Sequence, residues 1–181
     1  MIFLSDDSLL LHKNQLNTKK LQYSILEKSI PALVGKGVRE ILKMPLSGRD
    51  RADATALLSE ITLHEIYFSS FTDRAFERCD EVEGRYGSVA SLMNEIYSRA
   101  MNLKFGFVAV LAIGQRLSVM ADAEPANFFA RGVPILAIDV CEHAYFRDFL
   151  FDKERYLLTA IPYLDLDRIG QFYRGIEKNE K

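Results

Sequence analysis

In the first third of the chain the pattern repeats every three or four residues. Leu9, His12, Leu16 and Lys20 share one face of a helix expected from about Asp7 to Ser29, with Ser5 or Asp6 placed to cap it. Pro31, Gly35 and Gly37 break this period, and the loop "KMPLSGRD" leads into a second helix from about Asp50 to Phe71. On or near one face of that helix fall Leu57, Glu60, Ile61, His64, Tyr67, Phe68 and Phe71. The acidic stretch "ERCDEVEGRYGS" reads as the boundary between two lobes, and Ser88 caps a helix running to about Met101. The period then changes. "LKFGFVAVLAI" is short and rich in Phe and Val, "GQR" is a turn, and "LSVMADA" is the returning strand. "VPILAIDV" makes a third strand, after which helical patterning resumes from about Glu142, is interrupted at Pro162 and ends in the polar "EKNEK". The expected order is two long helices, a helix, three strands, then helices, with no internal repeat.

The totals narrow the class without naming it. The chain has 181 residues, 49% hydrophobic and 27% charged, with a formal net charge of −2. That balance suits a globular protein and offers no field for nucleic acid or an anionic membrane. The start, "MIFLSDDSLLLHK", lacks a basic leader, and the longest apolar run, Phe105 to Ile113, is far short of the roughly 20 residues a membrane span needs. Cys79 and Cys141 match no zinc spacing, and a reducing, cytoplasmic setting is the simplest expectation.

Candidate chemistry rests on three histidines. His12 and His64 lie one on each long helix, and His143 follows the last strand, four residues after Asp139. Packed helices can bring the first two together, and a strand end can aim Asp139 and His143 at the same point. Three imidazoles and a carboxylate suit iron, manganese or zinc and are a poor set for calcium or magnesium. The bland alternative is a helix-capping Asp139 and histidines that merely satisfy hydrogen bonds.

"DVCEHAYF" closely resembles "DVWEHAYY", the signature of the iron/manganese superoxide dismutase family. "SDDSLLLHKNQLNTKKLQYSILEKS" is similar to that family's first helix and "ITLHEIYF" to its second-helix "WNHTFYW". "GRYGSVASLMNEIYSRAMNLKFGFVAVL" and "VMADAEP" follow its next helix and strands. The resemblance implies an α+β fold: an N-terminal long helical hairpin over residues 1–76, then residues 77–181 as a C-terminal lobe with a three-stranded antiparallel sheet and helices. It implies that His12, His64, Asp139 and His143 hold one iron or manganese ion, zinc being the non-redox option, with water or hydroxide in a fifth position. It implies disproportionation of superoxide to oxygen and hydrogen peroxide. It also implies a homodimer, itself able to pair into a tetramer, in which Glu142 reaches a ligand histidine of the second copy.

Several positions depart from the family. Two residues lining its substrate funnel, a histidine and a tyrosine, are Leu16 and Lys20 here, and the last tyrosine of "EHAYY", at the dimer interface, is Phe146. The change at Leu16 and Phe146 turns a polar pair into an apolar one. The tryptophans are replaced by Cys141, Phe107, Ala109 and Phe68. The family's solvent-binding glutamine comes from one of two positions, which here hold Ala123 and Glu60. A glutamine can donate to bound hydroxide, whereas an ionised glutamate only accepts, so Glu60 favours bound water and the divalent metal. Glu60 is the expected proton-handling residue. Lys20 is expected to assist it or to draw in the superoxide anion, against the alternative that it only snorkels to solvent. These departures keep a second reading open: a family-fold metal-binding or interaction module whose activity is lost or altered.

Overall fold

The computed structural model describes residues 3–179, with side chains through residue 175. Helix α1, Asp6–Ser29, starts where Ser5 accepts a hydrogen bond from the Ser8 amide. Asp6 and Asp7 sit in its first turn and Lys28 in its last, each complementing the helix dipole. Its buried side chains, Ser8, His12, Leu16 and Tyr23, follow the expected period. After a 3₁₀ turn at Pro31–Leu33 and the one-turn helix α2, Val38–Ile41, the chain enters α3, Gly48–Ser69, capped by Ser47. Leu16 and Tyr23 of α1 pack with Ala54 and Ile61 of α3 over Leu33 and Ile41, closing the hairpin.

Within the acidic stretch, Asp80–Tyr86 form helix α4, with Val82 fully buried. Asp80, Glu81 and Glu83 lie in its first turn, where the helix dipole favours them. Helix α5, Val89–Asn102, follows its Ser88 cap.

Strands β1 (Phe107–Ile113), β2 (Arg116–Asp122) and β3 (Val133–Asp139) form one antiparallel sheet in the order β2-β1-β3. The central strand is buried on both faces. Phe107, Ala109 and Leu111 face Leu63 and Tyr67 of α3, while Val108, Val110 and Ala112 belong to the core shared with α5 and the C-terminal helices. Pro134 falls on edge strand β3, at a register shift opposite Val110 and Leu111, where its missing N–H costs little. Helix α6, Ala126–Arg131, bridges β2 and β3 and was not expected; it buries Phe128 and Phe129. Helices α7 (Glu142–Phe149), α8 (Lys153–Ala160) and α9 (Asp167–Asn179) complete the fold. The C-terminal "EKNEK" was expected to be a tail; α9 extends through Asn179, and the last two residues lie outside the described range.

Two backbone contacts position the end of β3. Gly106, at φ +118°, sits so close to β2 that an added Cβ would collide with the Asp122 carbonyl oxygen and lie 2.7 Å from Ala123 Cα. From there the Gly106 carbonyl accepts from the Val140 amide at 3.0 Å. The residue after Asp139 is thus tied to the start of the central strand.

Candidate metal centre

Asp139, at the end of β3, is fully buried, and its carboxylate is the hub of the site. Its Oδ1 accepts from the Cys141 amide at 2.8 Å, which aims Oδ2 the other way. Oδ2 lies 3.2 Å from His12 Nε2, 3.5 Å from His64 Nε2 and 3.0 Å from His143 Nε2. Helix α1 supplies His12, α3 supplies His64, and the first turn of α7 supplies His143. One ligand-capable atom from each of these four residues falls within 4.8 Å of all the others.

His12 and His64 are buried, and His143 is partly open. His64 Nδ1 donates to the Glu60 carbonyl at 2.7 Å, which fixes the tautomer that turns the Nε2 lone pair toward Asp139. The Tyr156 hydroxyl donates to the Asp139 carbonyl at 3.0 Å and meets the Tyr67 hydroxyl at 3.3 Å. Aromatic rings wall the centre: Phe68 and Tyr67 lie 4.9 and 5.0 Å from the His12 ring, and Phe107 lies 5.1 Å from that of His64.

Charge is strongly coupled here. Burial alone would raise the Asp139 carboxyl, but the three imidazoles around it outweigh burial and hold it well below the usual carboxylate range. Burial pushes His12 down despite the pull of Asp139. His64 is also opposed by burial, yet Asp139 and the Glu60 carbonyl together raise it.

The donor atoms fit a metal ion. His12 Nε2, His143 Nε2 and Asp139 Oδ2 are buried but have no aligned hydrogen-bond partner, a costly condition unless something binds them. Their separations from Oδ2 are also those of neighbouring ligands on one ion. Donors about 2.1 Å from a metal stand roughly 3.0–3.6 Å apart at right to trigonal angles.

A cavity of about 400 Å³ leads outward from His64 and His143, walled by Gln15, Thr18, Lys19 and Glu60. Glu60 thus lies on the access route, one turn before His64. The cation beside it is a correction to the sequence reading: Lys19 Nζ lies 2.8 Å from Glu60 Oε2, whereas Lys20 Nζ pairs with Glu65 Oε1 at 2.6 Å, off the cavity. Leu16 packs into the hairpin core. Ala123 lies one residue past β2, exposed and away from the cavity. Glu142 is exposed at the start of α7, and Phe146, one turn on, is 40% exposed with Leu150 and Phe151 nearby in the chain also exposed. The place of Lys19 beside Glu60 was missed: residue 19 follows His12 by seven, two helical turns, and so shares its face, but only the packing of α1 on α3 shows which lysine meets Glu60. The Cys141 amide and Tyr156 hydroxyl contacts left no local signal at all.

No curated protein matches the chain significantly. The family description for the C-terminal domain of iron/manganese superoxide dismutases matches residues 75–171, more than half of the chain and including Asp139 and His143. With this match, the chain belongs to the iron/manganese superoxide dismutase family.

Proposed function

We propose that the protein is a metal-dependent superoxide dismutase whose ion is held by His12, His64, Asp139 and His143. The observation that carries this reading is the convergence of three imidazole nitrogens and one buried carboxylate oxygen, within 4.8 Å of one another, at the inner end of an open cavity. A bound iron or manganese ion would supply one-electron exchange, taking one superoxide to dioxygen and a second, with two protons, to hydrogen peroxide. The chain's own residues do the rest. Asp139 contributes the only negative charge among the four ligands, its orientation fixed by the Cys141 amide. His64 is oriented by the Glu60 carbonyl. The aromatic walls exclude bulk water from the buried side. Glu60, on the cavity wall, presents a carboxylate that can accept protons arriving along the cavity and pass them on. Lys20 pairs with Glu65 and is not among the residues lining the cavity, so the cation placed in this scheme is Lys19.

A homodimer fits the exposed face of α7, where Glu142 and Phe146 lie one turn apart, with Glu142 reaching a ligand histidine of the second copy. No described helix is long and apolar enough to cross a membrane.

The test is the decay of a superoxide pulse, followed by its ultraviolet absorbance, with protein loaded with iron or manganese. The expected result is decay well above that given by the same concentration of free ion. Equal decay would reject dismutation and leave only the metal-binding module.

A further inference from the structure

The side of α1 that faces the cavity presents Gln15, Thr18 and Lys19. Among the described residues that line the cavity, Lys19 carries the only lysine or arginine side chain. Its ammonium sits 2.8 Å from the Glu60 carboxylate, with side chains 36% and 29% exposed, so both charges are only partly screened. An unpaired Glu60 would place a net negative charge on the route that an anion must take to His64 and His143. The next lysine, Lys20, makes an equivalent ion pair with Glu65, but that pair lies off the cavity.

We propose that Lys19 is the cation that keeps this site open to anions: it cancels the charge of Glu60 and makes the Gln15–Thr18–Lys19 face of α1 the path by which a small monoanion reaches the centre. This rests on the metal-site reading above and deepens it by naming the access route and the residue that sets its charge. The Lys19–Glu60 pair leaves the route electrically neutral. Removing Lys19 makes it negative, removing the Glu60 charge makes it positive, and removing both returns it to neutral. A cross-hairpin tie with a purely structural role predicts no such order.

The experiment is an azide titration of iron-loaded protein, followed by the visible absorption of bound azide, with metal content and thermal midpoint measured on every variant. Azide is a small monoanion, as superoxide is. The expected affinities run from Glu60→Gln, the tightest, through wild type and Lys19→Gln/Glu60→Gln, which match, to Lys19→Gln. A unit charge partly screened by solvent weakens the last by about three- to tenfold. Lys19→Arg restores wild-type affinity, Lys20→Gln leaves it unchanged, and added salt narrows the differences. The proposal is overturned if Lys19→Gln binds azide within twofold of wild type, or if Lys19→Gln and Lys20→Gln weaken it alike. Wild-type protein that retains no metal overturns the metal-site reading and this inference together. Metal retained with azide indifferent to Lys19 overturns this inference alone.

Discussion

Replacing Asp139 by asparagine should move metal affinity and metal-free stability in different directions. The side chain keeps its shape, and its amide oxygen can still accept from the Cys141 amide, now at 2.8 Å from Oδ1. The amide nitrogen then occupies the place of Oδ2, which is 3.0, 3.2 and 3.5 Å from His143, His12 and His64. With metal present, this removes the one anionic ligand and points N–H groups at a cation. Losing one partner of a buried charge pair costs about 3–5 kcal/mol, roughly two to four powers of ten in affinity. Without metal the same change replaces a buried charge by a neutral donor facing imidazole lone pairs, so stability should hold or rise. Competition with a chromophoric chelator measures the first effect and urea denaturation of metal-free protein the second. An asparagine variant that binds metal within tenfold of wild type would refute the reasoning. So would one whose metal-free form is several kcal/mol less stable, because Asp139 would then serve the fold rather than an ion.

Tyr156→Phe removes the hydroxyl that donates to the Asp139 carbonyl at 3.0 Å and leaves that buried acceptor unpaired; urea denaturation should show a loss of about 1–3 kcal/mol, and a loss under 0.5 kcal/mol would count against this support. Acidification should strip the metal, because protons compete with the ion for the imidazole nitrogens; dialysis at stepped pH down to about pH 4, followed by elemental analysis, checks it, and full occupancy at the lowest pH would contradict it. Gly106→Ala should give little folded protein, because at φ +118° the added Cβ lies 2.7 Å from Ala123 Cα and collides with the Asp122 carbonyl oxygen; a soluble variant with an unchanged thermal midpoint would refute it.

The helical hairpin was legible because burial imposes a period, the strands because they are short runs rich in Phe and Val, and Ser5 and Ser88 mark helix starts in the sequence itself; the Ser47 cap was read as loop. Helix α6 was not, because six residues hold too few turns to show a period, and its two buried phenylalanines read equally well as a loop between strands. The four candidate ligands could be named from residue type and resemblance. Their convergence is a property of packing that spacing along the chain does not contain. The same limit explains the exchange of Lys20 for Lys19 beside Glu60: a shift of one residue turns a side chain 100° about the helix, and only the packing of α1 on α3 decides which lysine meets Glu60.

Elemental analysis of wild type and His64→Ala, purified in parallel and equilibrated with iron or manganese, bears on the shared ion without any assumption about activity. His64 Nε2 lies 3.5 Å from Asp139 Oδ2 in the cluster of four. Wild type should retain about one ion per chain and the variant a small fraction of that. Equal occupancy in the two proteins would mean that these four side chains do not hold one ion in common.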